Sequence, residues 1–251
     1  VSCFAYELGL QCFIVGGCRI AILGRPSHYR SVNIQPMLAA ELVAGCDGGT
    51  ISWRIKIEAR TSHRDEEHLA LVESDQGDCF TFGAVVLASG AWSRTLGTCF
   101  DVPLPMTPVK GQIARLGVPE GFLNNIFHSN DIYVAPRAGA GLILGATMEE
   151  IGFDAGTQSG AISELIRRAV HYFPDLEHAP LEESWAGFRP RLPDKLPVIG
   201  RSLRYRNLFL ATGHFRNGIL LTPITGKLIA DALSGALDER MLAFSPGRLR
   251  L

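Results

Sequence analysis

Residues 212–223 read TGHFRNGILLTP, and the fold class follows from what stands on either side of them. Before them, Leu208 to Thr212 is an apolar run that predicts a strand. After them, apolar residues recur at helical spacing at Ile224, Leu228, Ile229, Ala232 and Leu233. A strand, a tight loop and a helix present the N-terminus of the helix to a ligand. The bounding glycines, Gly213 and Gly218, can take left-handed backbone angles and approach a flat ligand, although a simple connecting turn is an equally good interpretation of these residues alone.

Apolar patterns upstream predict two different kinds of sheet. The continuous run Ala84 to Ala88 is typical of a strand that is buried on both faces of a parallel sheet. Strands at Phe127, Ile132 to Ala135 and Leu142 to Leu144 predict a separate antiparallel sheet with a hairpin turn at 138–141. A helix from Ser159 to Tyr172 is expected to cover that sheet. The chain is therefore predicted to belong to the α/β (α+β) class.

Further expected elements are a helix start within Ser2–Leu10, a strand at Cys18–Leu23, a helix between Pro36 and Gly45, and strands at Ile51–Ala59, His68–Glu73 and Phe80–Phe82, the last running on into Ala84.

The composition excludes several classes of protein. With 47% hydrophobic residues, 20% charged residues and a net charge of -1 over 251 residues, the chain is typical of globular proteins rather than disordered or nucleic-acid-binding ones. No apolar run reaches the roughly 18 residues of a membrane span. The six cysteines form no CxxC pair and follow no secretory leader, so reduced thiols and no metal site are predicted. We expect a cytoplasmic protein without nucleic-acid or membrane partners.

Several motifs stand in the order found in one enzyme family. Residues 213–223 resemble the C-terminal FAD-contacting signature of the D-amino-acid oxidase superfamily, and their form HFRNGILL is typical of glycine oxidases. The other matching stretches are VVLASGAWS at 85–93, PVKGQ at 108–112, YVAPR at 133–137, GATM at 145–148 and WAGFRP at 185–190. The resemblance covers about Val32 to Leu233. Several motifs in one order are far more specific than any one of them.

The resemblance implies a two-domain flavoprotein. An incomplete Rossmann-like FAD-binding domain would comprise residues 1–105 and 191–251, and an antiparallel-sheet substrate domain with covering helices would comprise residues 106–190. FAD would be bound non-covalently. The implied reaction oxidises glycine, sarcosine or a small D-amino acid to the imine or 2-oxo acid, with molecular oxygen reduced to hydrogen peroxide. A role in thiamine thiazole biosynthesis and a homo-oligomeric state follow from the same resemblance, although the residues themselves predict no interface.

The substrate site implied by the resemblance binds a carboxylate. Arg189 is expected to capture it bidentately, which a lysine would do less directionally, and the Tyr133 hydroxyl is expected to donate to it. Met148 would line the pocket, and Arg216 would close the loop beside flavin and substrate. The expected catalytic residues are thus Tyr133, Arg189 and Arg216. Without the resemblance, a lone arginine is more often a surface charge, and a tyrosine or methionine in a strand usually serves packing.

The cofactor contacts implied by the resemblance involve Ala88, Ser89, Gly90, Trp92, Gly187, Gly213, His214, Arg216, Asn217, Gly218, Ile219 and Leu220. The positive end of the helix that follows would favour an electron-rich edge of the reduced flavin. A histidine titrates near neutrality and could act as a base, but His214 stands between Gly213 and Phe215, where a structural role is the better prediction. Hydride transfer to the flavin needs no protein base when the amine is already neutral. For Trp92, a core position is the alternative.

Some features depart from the family pattern. The strand and GxGxxG turn that would hold the FAD pyrophosphate are not found in the sequence. Gly24 stands where the family has a glutamate for the adenosine ribose, and roughly a hundred residues of the family pattern are missing after Arg30. Two alternatives therefore stay open beside the oxidase. The chain could be a non-catalytic remnant, or it could be a related amino-acid dehydrogenase that uses another electron acceptor.

Overall fold

The computed structural model describes residues 9–15, 18–24, 58–61, 67–73, 79–80, 83–99, 101–139, 141–236 and 238–249. The chain divides into two compact units. The first unit comprises Val1–Met106 and Pro190–Leu251, and the second comprises Thr107–Arg189. Parts of five predicted elements lie outside the described residues: the helix start at 2–8, the helix between Pro36 and Gly45, residues 51–57 of the strand expected from Ile51, residues 81–82 of the strand expected at Phe80–Phe82, and residue 140 of the hairpin turn.

The described strands and helices are numbered in chain order. The strands are β1 (Gly9–Val15), β2 (Cys18–Gly24), β3 (Glu58–Thr61), β4 (Glu67–Glu73), β5 (Cys79–Phe80), β6 (Ala84–Leu87), β7 (Thr107–Leu116), β8 (Phe127–His128), β9 (Tyr133–Arg137), β10 (Gly141–Gly145), β11 (Leu181–Arg191), β12 (Val198–Arg201) and β13 (Leu208–Thr212). The helices are α1 (Ser93–Cys99), α2 (Ser159–Tyr172) and α3 (Gly218–Leu233). Short 3-10 turns occupy Gly90–Trp92, Pro174–His178, Glu239–Phe244 and Pro246–Leu249.

The first unit is built on a five-stranded sheet in the order β1-β2-β6-β13-β12. Its three central strands, β2, β6 and β13, run parallel, and both outer strands pair antiparallel with their neighbours. The prediction of a strand buried on both faces is confirmed, because all four residues of β6 are buried. Alternate residues of β6 face two separate cores. One core contains Leu228 and Ile229 of α3, and the other contains Leu96 of α1.

The second unit is built on a five-stranded sheet in the order β11-β7-β10-β9-β8, in which β7, β10, β9 and β8 pair antiparallel. Helix α2 covers one face and buries Ile162, Leu165 and Ala169. These residues stand at i, i+3 and i+7, which places them on one side of a helix. Pro174 prevents the helix from continuing, because proline disfavours helical angles in the residue before it. The predicted helix and the predicted antiparallel sheet are both confirmed.

A third sheet joins three short antiparallel strands in the order β3-β4-β5. The strand predicted at His68–Glu73 is confirmed by β4. The expectation that the strand beginning at Phe80 runs on into Ala84 is wrong, because Phe80 pairs with Val72 while β6 joins the sheet of the first unit. In the part of the chain that the structure describes, no helix is long and apolar enough to cross a membrane.

The helix after the 213–217 loop begins earlier than predicted. α3 starts at Gly218, so the five residues after it belong to the helix rather than to the loop. Gly218 therefore does not take the left-handed angle expected of it, and the positive φ angles fall on Gly213 (+80°) and Phe215 (+51°). The prediction failed because Pro223 lies inside the helix, whereas proline in a sequence usually marks a helix boundary.

The first described strand also differs from the expectation. A helix was expected to start within Ser2–Leu10, but Gly9 and Leu10 belong to β1. β1 pairs antiparallel with β2 from Gly9 to Val15, and β2 confirms the strand predicted at Cys18. Only two glycines stand in the sequence between the two strands, which is a common loop of a β-hairpin. That dipeptide was the signal for a hairpin.

Candidate cofactor and substrate sites

The parallel strands of the first unit end at one edge of their sheet. The register pairs Leu23 with Leu87 and Leu87 with Leu210, so the carboxyl ends of β2, β6 and β13 lie side by side. In open α/β sheets, ligands bind outside the carboxyl ends of the strands. The predicted cofactor residues at 88–90 follow β6 directly, and Gly213 follows β13. The structure thus brings two groups of predicted residues to neighbouring loops.

A buried chain of hydroxyl groups links these two loops. Ser89 Oγ lies 3.1 Å from Ser93 Oγ, which lies 2.7 Å from Thr212 Oγ1. The Thr212 hydroxyl also donates to the carbonyl oxygen of Gly90 at 3.1 Å. The three hydroxyl-bearing residues are at most 2% exposed, so these bonds replace hydrogen bonds to water. Sequence reasoning missed Ser93 and Thr212 as site residues, because 119 residues separate them and no local pattern signals their contact.

The backbone of the two loops takes angles that residues other than glycine rarely adopt. Gly90 has a φ of +56°, and no atom lies within 4 Å of the place that a Cβ would occupy. Gly213 has a φ of +80°, and a Cβ there would lie 2.6 Å from Leu192 Cδ1. Phe215 also has a positive φ, which costs a non-glycine residue roughly 1–2 kcal/mol. Its amide donates to the carbonyl oxygen of Pro190 at 2.9 Å, a bond that holds the loop in this conformation.

The first turn of α3 combines the positive end of a helix with exposed apolar side chains. Its N-cap residue, Asn217, makes no side-chain capping hydrogen bond, so the first backbone N–H groups are left for solvent or a ligand. Ile219 and Leu220 are 84% and 77% exposed, and Arg216, in the loop just before the helix, is also exposed. A flat apolar ring with an electron-rich edge would bury both side chains and face the helix end. These residues therefore fit the isoalloxazine ring of FAD.

His214 is held in the loop by hydrogen bonds from two directions. Its Nε2 lies 2.9 Å from Thr225 Oγ1 on α3, and its carbonyl oxygen accepts from the Asn217 amide at 2.9 Å. Burial lowers the pKa of His214 below its ordinary value of 6.5. Burial therefore favours the neutral form of the imidazole. This environment favours the predicted structural role, which stays a prediction.

In the second unit, Tyr133 lies on the sheet face opposite α2. Residues of a strand alternate between the two faces, and Leu142 and Leu144 pack in the core under α2, so Gly145 faces the other way. Gly145 pairs with Tyr133, and a Cβ on Gly145 would lie 2.2 Å from Tyr133 Cζ and Oη. The phenol ring therefore lies across Gly145, in space that a larger residue would fill.

Arg189 lies on the same face, above the next strand. Ala114 packs in the core under α2, so Gly111 on the same strand faces away from that helix. A Cβ on Gly111 would lie 2.4 Å from Arg189 Nη1. The guanidinium therefore lies over Gly111, where its Nη1 donates to the carbonyl oxygen of Thr147 at 3.0 Å. Because β7 and β10 are neighbours in the sheet, the side chains of Tyr133 and Arg189 cover adjacent strands.

The remaining predicted residues are distributed over both units. Arg189 stands on β11, an outer strand of its sheet, and an outer strand accommodates Pro190. Met148 follows β10 and is 54% exposed. Gly187 is exposed on β11, and Trp92 is half-buried in the turn after β6. The second unit thus carries Tyr133, Met148, Gly187 and Arg189, and the first carries Ala88, Ser89, Gly90, Trp92, Gly213, His214, Arg216, Asn217, Gly218, Ile219 and Leu220.

Sequence reasoning assigned no role to a group of polar side chains beside Arg189. Gln112, Thr147 and Glu149 form what we call the polar cluster. Gln112 Nε2 donates to Glu149 Oε1 at 2.8 Å, and the Thr147 hydroxyl donates to the same oxygen. Lys110 stands two residues before Gln112 on β7. Its side chain is fully buried, and its Nζ pairs with Asp154 Oδ2 at 3.3 Å. The motif PVKGQ contains two of these residues, but their complete burial cannot be inferred from a single sequence.

Comparison with known proteins gives a family and several relatives. A family described as FAD dependent oxidoreductase (DAO) matches residues 29–232. The bifunctional protein ThiO/ThiG of Nostoc sp. is 46% identical over 162 residues, which are 63% of this chain and 24% of the relative. The ThiO/ThiG protein of Synechocystis sp. is 40% identical over 252 residues, 97% of this chain and 36% of the relative. Glycine oxidase of Geobacillus kaustophilus is 42% identical over 156 residues, 62% of this chain and 41% of the relative.

Solved structures are similar in fold to this chain. The crystal structure of glycine oxidase from Geobacillus kaustophilus superposes with a TM-score of 0.65 and 36% identity over 74% of this chain and 49% of that chain. Glycine oxidase from Bacillus cereus superposes with a TM-score of 0.65 and 30% identity over 74% and 52%. The chain thus spans between 24% and 52% of the length of these relatives. The resemblance inferred from the motifs is confirmed, and the chain belongs to the family of FAD-dependent oxidoreductases named DAO.

Proposed function

We propose that this chain is part of an FAD-dependent oxidase of glycine, sarcosine or small D-amino acids. The amine would be converted to the imine, which water hydrolyses to the 2-oxo acid, and molecular oxygen would be reduced to hydrogen peroxide. We propose further that the product serves formation of the thiamine thiazole, which rests on the resemblance. The observation that carries the proposal is that Arg189 and Tyr133 cover adjacent strands on one face of the second unit's sheet.

Arg189 and Tyr133 would bind the substrate through its carboxylate. A guanidinium is planar and offers parallel donors that match two carboxylate oxygens. The Thr147 carbonyl oxygen fixes one side of that plane by accepting from Nη1 at 3.0 Å. A phenol over the neighbouring strand can donate a further hydrogen bond to the same carboxylate. An amino acid held by its carboxylate has its Cα oriented, and orientation is a large part of what an enzyme contributes to the rate.

The first unit would supply the residues that hold FAD. Gly90 faces open space at the carboxyl edge of the parallel strands, and Ile219 and Leu220 are exposed at the N-terminus of α3. Bound FAD would supply an acceptor for the hydride that leaves Cα, and the amine nitrogen would lose its proton to complete the imine. His214 is hydrogen-bonded to Thr225, and its burial favours the neutral imidazole, which supports a structural role. Arg216 is proposed to close the loop beside flavin and substrate, with the backbone of 217–220 reaching the ring.

The test is a flavin absorption spectrum of the purified chain after incubation with FAD, followed by glycine without oxygen. We expect a bound flavin spectrum that bleaches with glycine. On admission of air, the colour should return and hydrogen peroxide should appear in an amount equal to the imine formed. A chain that binds no FAD would favour the non-catalytic remnant. Bleaching without reoxidation by air would favour a dehydrogenase that uses another electron acceptor.

A further inference from the structure

The position of the Arg189 guanidinium depends on a residue that lies outside the regular strands. Its Nη1 donates to the carbonyl oxygen of Thr147 at 3.0 Å. Strand β10 ends two residues earlier, at Gly145, so the ladder of β10 with its neighbours does not by itself fix this carbonyl. Whatever orients Thr147 therefore orients the acceptor of Arg189.

Thr147 is held by Gln112 on β7. The Thr147 amide donates to the Gln112 carbonyl oxygen at 3.2 Å, and the Gln112 amide donates to the Thr147 hydroxyl oxygen at 2.8 Å. The second of these bonds uses a side-chain oxygen where a strand would use a backbone carbonyl. The Thr147 hydroxyl thus takes the place of a backbone carbonyl as the acceptor for the Gln112 amide. The backbone carbonyl oxygen of Thr147 stays available for Arg189.

Glu149 completes the polar cluster by binding both partners. Its Oε1 accepts from Gln112 Nε2 at 2.8 Å and from the Thr147 hydroxyl. The backbone of Glu149 is fixed in turn, because its carbonyl and amide bond to the backbone of Lys110 at 2.8 Å and 3.0 Å. A charged acceptor strengthens the hydrogen bonds that it receives, and the bond from Gln112 is also part-buried. The Thr147 hydroxyl therefore has one orientation, pointing at Glu149 and accepting from Gln112.

The cluster is also anchored to the helix that covers the sheet. Gln112 is fully buried, and its Oε1 accepts from the amide of Gln158, the N-cap residue of α2, at 2.7 Å. Both ends of the Gln112 side-chain amide are therefore bonded. Since an unsatisfied buried amide is costly, a fully bonded one fixes the local structure.

We propose that Gln112, Thr147 and Glu149 are positioning residues for Arg189, and that the affinity of this unit for a carboxylate depends on the hydroxyl of Thr147. The inference rests on the proposed role of Arg189 in the proposed function. Loss of the hydroxyl would leave the backbone N–H of Gln112 without its acceptor. It would also leave the Glu149 carboxylate without one of its two donors. The Thr147 carbonyl would then shift, and the guanidinium with it, so that binding weakens while the reacting groups stay unchanged.

The test compares Thr147→Val, which removes the hydroxyl at constant shape, with Thr147→Ser, which keeps it. The probe is acetate, a carboxylate without an amine, and its dissociation constant is measured by saturation-transfer NMR on the acetate methyl group, with or without FAD. We expect Thr147→Val to weaken acetate binding about five- to tenfold, because the net contribution of a typical hydrogen bond is of this size. Thr147→Ser should stay within about twofold of the parent. With FAD and glycine, the Val variant should show the same rise in KM and an almost unchanged kcat.

Two further variants separate the possible failures. Arg189→Ala should abolish acetate binding, and if it binds acetate like the parent, the carboxylate role of Arg189 fails and the proposed function with it. If Arg189→Ala loses acetate but Thr147→Val binds it as tightly as the parent, only the positioning role is overturned. A parent that binds no acetate overturns both. Should Thr147→Val fail to fold, Glu149→Gln, which removes the charge but keeps the shape, must weaken acetate binding in the same direction, and parent-like binding by that variant overturns the inference.

Discussion

At the scale of single residues, the geometry of Arg189 matters as much as its charge. We expect Arg189→Lys to raise the KM for glycine by at least about tenfold, because hydrogen bonds to a charged group contribute roughly 1.5–3 kcal/mol and lysine lacks the planar pair of donors. The kcat should change much less, since the reacting atoms are untouched. Steady-state kinetics of the FAD-loaded chain measure both constants. The control is Arg137→Lys, which makes the same chemical change at the exposed end of β9, four residues from Tyr133. This variant should have the same KM as the parent. An unchanged KM in Arg189→Lys would remove Arg189 from the substrate site.

His214 gives the folded chain a defined pH dependence. Burial lowers its pKa below 6.5 in the folded chain, whereas an unfolded chain has a histidine pKa of about 6.5. Between the two values the unfolded chain binds more protons, so stability must fall as the pH falls. The contribution is complete above about pH 6.5 and is lost as the pH falls from there through the folded pKa.

The corresponding measurement is the melting temperature at pH 7.5 and pH 5 for the parent and for His214→Gln. We expect the fall in melting temperature toward pH 5 to be smaller in the variant, because its side chain does not titrate. His178→Gln, at an exposed position, should behave like the parent. Equal falls in the parent and in His214→Gln would show that the buried imidazole does not couple to folding.

At the scale of elements, the buried hydroxyl chain should decide how firmly the loops after β6 and β13 are held. Ser93→Ala would remove the central hydroxyl between Ser89 and Thr212, and both bonds of 3.1 Å and 2.7 Å would be lost. We expect a destabilisation of about 1–3 kcal/mol, the usual cost of leaving a buried polar group without its partner. Urea denaturation measures it. FAD should also bind more weakly, because Gly90 and Gly213 lie in the two loops.

The matched control is Thr95→Ala, which removes an exposed hydroxyl from the same helix, α1. This change should leave both stability and FAD affinity within the error of the measurement. If Ser93→Ala is as stable as Thr95→Ala, the hydroxyl chain does not hold the two loops together. If stability falls but FAD affinity does not, the chain supports the fold without shaping the cofactor site.

The elements also show what a sequence can and cannot predict. α2 was predicted to the residue because its apolar stripe and Pro174 are local signals. β6 was predicted to within one residue, because the apolar run Ala84 to Ala88 implies burial on both faces and the strand ends at Leu87. The start of α3 was missed because Pro223 lies inside the helix, whereas a proline in a sequence usually indicates the end or start of a helix. Contacts such as Ser93 with Thr212 depend on the order of strands in the sheet, which local patterns do not determine. The same holds for Arg189 over Gly111, although the family motifs named the arginine itself.

At the scale of the whole molecule, the two units should respond separately to ligands. A ligand that binds only the folded state stabilises that state by about 2.7 kcal/mol at a concentration of 100 times its Kd. Because amide hydrogens exchange when the backbone opens, bound FAD should slow exchange in the segments that it contacts. We expect slower exchange at 88–93 and 213–220 in the first unit, and unchanged exchange in α2 of the second. Acetate added afterwards should slow exchange at 133–137 and 145–149.

Mass spectrometry of peptides after exchange, with and without FAD, resolves these segments in one experiment. Gly90→Val is the variant to compare with the parent chain. Gly90 has a φ of +56°, and the space beside it is open. A β-branched residue is strained at that angle whatever the space, so the variant should lose the FAD effect at both loops. Slower exchange that appears first in α2 would place the cofactor on the second unit, against the assignment of the two loops. Equal effects in the parent and in Gly90→Val would instead show that FAD is held elsewhere in the first unit.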